Sequence, residues 1–453
     1  MKNTDIKLEP EQADAITHNK GHLRIVACPG SGKTETVSRR IIELIKSGVD
    51  PKTIVAFTFT QKAAENLNFR IRKRLQKICP EKKNFGDMYI GTIDSFCLYM
   101  LKELIPEYRS YDILSEQKRM AFVNRWFYDL HIKSLWKQVG SKWMALRTFV
   151  QSADRVLMED INPDDLSNEE FVKSLKAYWE LLEREKFFDF SSVIYKLISV
   201  LEDKKNLALL HEKVKHVTMD EYQDVNNLQE KLLQLLSVGA DSVCVVGDDD
   251  QNIFNWRGSN VGYIRDFEER YKKYDVTTKF LKKNFRSTEG IIDTALQLIN
   301  NNVDRISSKE MIHNSDSEKK TEEGDIVHRH FLTDGDELDF IAQKILRMVG
   351  TDFIDKVNER YALSLKDFAI IVKTNSDAEA FLNHLERNGI KCIADSGVNI
   401  FSRPIVSLAL DCISYVFSCP GYTTEKTIPD INNLATRLGQ CVSSSDINKF
   451  KKD

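Results

Sequence analysis

Residues Ala27-Cys28-Pro29-Gly30-Ser31-Gly32-Lys33-Thr34 follow a short β-rich run, Leu23–Ala27, and open a helical pattern, Thr34–Ser47. A phosphate-binding loop reads G-x-x-x-x-G-K-[ST]. Here only its first glycine is replaced, by Ala27. The turn Gly30-Ser31-Gly32 lets backbone N–H groups point inward around a phosphate, and the start of the next helix adds its dipole. Lys33 is then set to reach the β- and γ-phosphates of ATP, and Thr34 to ligate Mg²⁺. The competing reading is a glycine turn before an amphipathic helix, with no ligand. The strand–loop–helix context favours the phosphate site.

Working outward, Thr53–Thr58 and Met88–Thr92 read as further strands and Gln61–Ile78 as a helix. Such alternation implies a parallel sheet with crossover helices. From about Pro106 to Leu210 the strand signals vanish, and long helical patterns carry Trp126, Trp136, Trp143 and Trp179, as in an all-helical insertion. The sheet pattern resumes with Val214–Met219 and Ser242–Val246. Ser307–Asp325 is polar and charged and reads as a loop or linker. Beyond it, Ile326–Phe331, Phe368–Lys373 and Lys391–Ala394 are strand-like, with helices at Asp336–Met348 and Ser376–Asn388, a second α/β unit.

The chain of 453 residues has room for two to four domains. With 42% hydrophobic and 29% charged residues it has an ordinary globular composition, which excludes a disordered, collagen-like or membrane chain. A formal net charge of -3 points neither toward nor away from nucleic acid, so any basic surface is local. The start lacks the apolar stretch of a signal peptide, and Asp411 interrupts the best apolar run, Leu408–Cys419. Eight cysteines without a C-x-x-C pair suggest neither zinc nor disulfides, and a reduced, cytoplasmic setting is expected.

A phosphate site needs a carboxylate to hold metal and a base. Asp220-Glu221-Tyr222-Gln223-Asp224 closes one strand, with Asp220 placed for Mg²⁺ and Glu221 to polarise the attacking water. The next strand ends in Gly247-Asp248-Asp249-Asp250-Gln251. Two neighbouring strands ending in polar clusters point to one crevice at the carboxyl edge of the sheet. Phe254-Asn255-Trp256-Arg257 then offers two rings and a cation, the combination that binds single strands without sequence preference. Gln61–Lys83 carries eight Lys/Arg against Glu65 and Glu81, which suits either phosphates or a solvated helix face.

The ordered strings LEPEQADAI, ACPGSGKT, AFTFTQKAAENL, GTIDSF, DEYQD, GDDDQNIFNWRGS and LKKNFRS resemble the UvrD/Rep-type superfamily 1 helicases over about residues 5–415. The resemblance implies two RecA-like α/β domains with ATP between them, and 3′-to-5′ translocation on single-stranded DNA. The first domain would comprise 1–105 and 211–280, with 106–210 the helical insertion. The second would span 281–402 and be incomplete, with 403–453 a tail or the start of another insertion. By resemblance Gln12 reads adenine, and Phe285, where the family often has Tyr, stacks on it. Gln251 senses the γ-phosphate, and Arg286 meets charge on the transferring phosphoryl group. Phe59 stacks on a base, Thr92 and Ser95 touch the DNA backbone, and Phe254, Trp256 and Arg257 line the strand. Asp94 stands where the family usually has His, and Phe190 would line the channel or pack in the core.

Two late family motifs, of the T-x-H-x-S-K-G-L-E and V-A-x-T-R-A types, are not found in Ile326–Asp453. Ile370–Asn375 and Ile400–Pro404 match earlier segments of the second domain. The expectation is an N-terminal portion of a longer protein or a natural short form. The leading function is therefore an ATP-dependent DNA helicase or translocase. The alternatives are an ATP-gated DNA-binding subunit beside a nuclease or in a defence complex, and the helicase part of a RecB-like nuclease. A P-loop kinase would leave the aromatic motif unexplained.

Overall fold

The runs Ile54–Phe57 and Val243–Val246 are apolar at every position, which is the pattern of strands covered on both faces. The structure, a computed structural model, describes residues 8–78, 88–306, 308–317, 320–354, 359–394 and 409. Six parallel strands form its main sheet: β1 (Gly21–Ala27), β2 (Ile54–Phe57), β3 (Tyr89–Gly91), β4 (His216–Met219), β5 (Ser242–Gly247) and β6 (Val276–Leu281). Their order is β3-β2-β4-β5-β1-β6. β2, β4 and β5 are buried throughout, and β1 at all but its first residue.

Helices cover both faces, as parallel connections require. On one face Leu23 and Ile25 of β1 meet Val37 and Ile41 of α2 (Lys33–Lys46) and Leu67 and Ile71 of α3 (Gln61–Ile78). On the other, Val217, Val243 and Val245 meet Phe96 and Met100 of the helix Ile93–Leu104 and Leu232 and Leu236 of the helix Asn227–Gly239. The expected strands and helices of this part are all present, with ends moved by one or two residues.

Within 106–210 helices pack around a core holding Phe127, Phe149 and Tyr178, all fully buried, while the helix Phe190–Val200 joins the core of the main sheet through Val193, Ile194 and Leu197. Two short strands, Asp112–Ile113 and Phe187–Phe188, also occur there. Arg119 ties its helices together, lying 2.8 Å from Asp154 and 2.9 Å from the buried Asp189.

The chain divides into two compact units, Met1–Asp325 and Ile326–Asp453. The segment from Lys282 to Asp325 thus folds with the first unit, where Lys283–Asn284 and Ile312–His313 pair in parallel. In the second unit the helices Asp334–Met348 and Asn375–Arg387 pack through Ala342, Ile345 and Leu385, and Asp352–Ile354 pairs antiparallel with Arg360–Ala362. The strands expected at Ile326–Phe331, Phe368–Lys373 and Lys391–Ala394 form no ladder among the described residues. Phe368, Ile370 and Cys392 pack on the helices, but the alternate side chains meet no second layer: Ile371 is 95% and Ile393 94% exposed. Ile400–Pro404, the apolar run Leu408–Cys419, the tail from Pro420, and Lys82 and Lys83 lie outside the described residues, Ala409 excepted.

Candidate functional site

Three strand ends converge on the carboxyl edge of the sheet. After β1 the chain turns through Gly30 at φ +70° and Gly32 at φ +88° into α2. A Cβ on Gly30 would sit 2.6 Å from Asn284 Oδ1, and one on Gly32 would sit 2.8 Å from Gln12 Nε2. Gly30 therefore needs glycine for space and for backbone, and Gly32 for its backbone. Ser31 Oγ donates to Cys28 O at 2.7 Å, and Gln12 Nε2 donates to Ser31 O at 3.0 Å. Gln12 Oε1 in turn accepts the Glu9 N–H at 3.1 Å. Burial, aided by Asp248, pushes the Cys28 thiol up to about 12, so it is inert.

The Asn284–Ser287 turn folds onto this loop. Phe285 N–H donates to Gly30 O at 3.0 Å, while Asn284 Oδ1 accepts the N–H groups of Arg286 at 2.7 Å and Ser287 at 2.9 Å. Phe285 lines a cavity of about 290 Å³ with Glu9, Gln12, Ser31, Lys283 and His313. Lys283 lies 5.7 Å from the Phe285 ring centre and pairs with Glu9 at 3.0 Å. An aromatic face with an amide beside it suits a flat heterocycle. Arg286 is exposed, and its guanidinium pairs with no carboxylate among the described residues.

At the end of β4, Glu221 has φ +53°, a left-handed conformation that a glutamate holds at a cost of order 1–2 kcal/mol. Its Oε2 receives Lys33 Nζ at 3.3 Å and Gln223 Nε2 at 2.9 Å. Burial first, then the Glu221 charge, push the Asp220 carboxyl up to about 6. Thr34 Oγ1 makes no hydrogen bond among the described residues. A crowded, poorly compensated carboxylate and a free hydroxyl beside the phosphate loop fit a Mg²⁺ ion carried by a nucleotide, with Asp220 and Thr34 as its ligands.

From Glu221 a polar line runs to the next strand. Gln223, 1% exposed, also accepts the Asp248 N–H on Oε1 at 3.0 Å. Asp248 Oδ2 accepts Gln251 Nε2 at 2.7 Å. Asn252 Nδ2 bonds the Gln223 carbonyl and, at 2.9 Å, Ser259 Oγ. Gln251 is thus joined to Glu221 through Gln223, although the two share no direct bond.

Beyond Asn252 the chain presents its rings. Phe59, from the end of β2, stacks on Phe254 with ring centres 4.9 Å apart. Phe254 lies 6.2 Å from Trp256, and Arg257 sits over both rings, at 5.7 and 4.8 Å. Trp256 is 68% exposed, so it is not core. Thr92 and Ser95 are bonded to each other at 3.0 Å where β3 meets the helix Ile93–Leu104, and Tyr89 OH donates to Thr92 O at 2.9 Å. Burial raises the Asp94 carboxyl beside them. Phe190 is 41% exposed at the start of its helix. Sequence reasoning missed Gln223, Asn284, Arg305 and Lys309. Gln223 lies inside the quoted string DEYQD, and its contact is 25 residues away.

A phosphate loop, a strand-end acidic pair and a second polar strand end on one parallel sheet define a P-loop nucleotide-binding fold. Residues 8–272 match the UvrD/REP helicase N-terminal domain, and residues 280–419 the UvrD-like helicase C-terminal domain. The chain belongs to the UvrD/REP helicase family. Similar proteins include the ATP-dependent DNA helicases PcrA of Staphylococcus epidermidis and Staphylococcus aureus, each 27% identical over 441 residues. The matches cover 95% of this chain and 56% of each relative, so the chain spans little more than half their length.

Proposed function

We propose that this chain is the ATP-hydrolysing motor of a DNA helicase, moving 3′ to 5′ along single-stranded DNA. The observation that carries the reading is the unbroken polar line Lys33–Glu221–Gln223–Asp248–Gln251, followed in the chain by the aromatic row of half-buried Phe59 and Phe254 and exposed Trp256. The family match and the PcrA relatives support ATP as the fuel and DNA as the substrate.

In this reading the base of ATP enters the cavity at Phe285 and Gln12, and Lys33 offsets phosphate charge. Asp220 and Thr34 would hold Mg²⁺, which would add further shielding of the phosphate oxygens. Lys33 is paired with Glu221 until phosphates draw it away, which frees the carboxylate to accept a proton from the attacking water. Arg286 meets the charge that develops on the transferring group. Gln251 responds to the phosphate, and its loop shifts the rings on which bases stack. The second unit, from Ile326 on, acts as the second motor domain, and Thr92 and Ser95 hold the strand's backbone. No helix among the described residues is long and apolar enough to cross a membrane, and work in the cytoplasm on free DNA is the expected setting.

The test is polarity of movement. Oligonucleotides carrying biotin–streptavidin at either end are mixed with the chain and ATP. Streptavidin should leave the 5′ end faster than the 3′ end. Equal or reversed rates would refute the proposed direction.

A further inference from the structure

We propose that Lys309, with Arg305, is a positioning clasp that holds the Gly247–Gln251 loop and so keeps Gln251 in register with Glu221; it rests on the motor reading above. Ser307–Asp325 reads as a polar linker, yet the Lys309 side chain is 2% exposed. Its ammonium bonds Asp248 Oδ1 and lies 2.6 Å from Asp249 Oδ1 and 2.6 Å from Asp250 Oδ2. Arg305 grips Asp250 with two bonds of 2.8 Å, and the Ile306 N–H donates to Asp249 Oδ2 at 2.9 Å. Two cations thus face three consecutive carboxylates, two of them buried. An acidic triple invites a metal, but here the ammonium occupies its centre, and no cluster of three potential metal ligands exists among the described residues. Three rotatable N–H donors on a compact charge suit three separate carboxylates better than the planar fork of arginine.

The position of the clasp gives it a role in coupling. Asp248 takes Lys309 on one oxygen and Gln251 on the other, and its N–H rests on Gln223, which holds Glu221. Beyond Lys309 the chain returns through Ile312–His313 to pair with Lys283–Asn284, directly before Phe285 and Arg286. One ammonium therefore ties the Gln251 loop to the segment that carries Arg286. Without Lys309, uncompensated buried carboxylates would repel one another, and Asp248 would no longer present Gln251 in one place.

The experiment compares the full chain with Lys309→Met and with the double variant Lys309→Met/Asp249→Asn, which removes one carboxylate for the lost cation. ATP turnover with single-stranded DNA, KM for ATP and thermal melting are measured together. In Lys309→Met kcat should fall about tenfold or more with KM for ATP within about threefold, because positioning and not phosphate binding is lost. The double variant should regain kcat to within about threefold of the parent, since the charge balance is restored. A purely structural lysine would lower the melting temperature while the folded variant turned over normally, and that result overturns the proposal. So does a loss that Asp249→Asn leaves unrepaired. If Lys309→Met does not fold, Arg305→Gln, at the 18% exposed partner, should show the same split between kcat and KM, and unchanged kcat there overturns the clasp. An unmodified chain without turnover would defeat the motor reading and the clasp's coupling role with it, whereas normal turnover by folded Lys309→Met defeats the clasp alone.

Discussion

Gln223→Ala tests how much of the site depends on a side chain that touches neither phosphate loop nor rings. In the structure the Gln223 amide donates to Glu221 Oε2 at 2.9 Å and to Asp224 Oδ2 at 3.2 Å, and accepts the Asp248 N–H at 3.0 Å. Truncation leaves that buried N–H unsatisfied, a cost of about 1–3 kcal/mol, and removes two bonds to carboxylates worth about 1.5–3 kcal/mol each before relaxation. A net destabilisation of about 2–4 kcal/mol follows once water enters the vacated space. The larger effect is on turnover. Among the described residues two side-chain donors hold the Glu221 carboxylate, and without Gln223 Lys33 alone of them remains. A shift of the base on the order of 1 Å costs about 10²-fold in rate. Steady-state ATP hydrolysis at 15 °C, where the variant stays folded, should show kcat down by about that factor with KM for ATP little changed. A folded Gln223→Ala chain with kcat within about twofold of the parent would refute the claim that the polar line orients Glu221.

Trp256→Ala should weaken single-strand binding by about 1–3 kcal/mol and leave ATP hydrolysis without DNA unchanged, read by fluorescence anisotropy and a basal ATPase assay; an unfolded variant would mean the ring is structural. Burial holds His22 down to about 4, with both ring nitrogens unpartnered among the described residues and the ring stacked on Tyr274 at 4.2 Å. A histidine lowered in the fold contributes stability above its unfolded value of 6.5 and loses it as pH falls toward 4, up to about 3 kcal/mol here. His22→Phe keeps the stack and should flatten denaturant stability between pH 6.5 and 4 by that amount, and superimposable pH curves for the two proteins would contradict it.

Much of this was legible in the sequence because phosphate chemistry restricts which residues stand at a strand end. Gly30, Gly32, Lys33, Asp220 and Glu221 have few substitutes, and uninterrupted apolar runs such as Val243–Val246 mark strands buried on both faces. Gln223, Arg305 and Lys309 escaped because their partners lie 25 to 61 residues away and nothing local marks the meeting. A lysine in SSKEMIHNS looks solvated until three aspartates are found around it. The strands expected at Ile326–Phe331 and Lys391–Ala394 failed for the converse reason. β-propensity records fitness for a half-buried pleated surface, and without a neighbouring strand it forms none.

The most direct measurement of the central claim is ATP hydrolysis by the purified 453-residue chain with and without single-stranded DNA, beside Lys33→Ala. The account predicts Mg²⁺-dependent turnover by the parent, raised severalfold by the DNA, and none by Lys33→Ala, which should melt at the parent's temperature. Nucleotide and DNA binding without any turnover would contradict it and favour a gated binding subunit. Turnover by Lys33→Ala at the parent's rate would show that the phosphate site lies elsewhere.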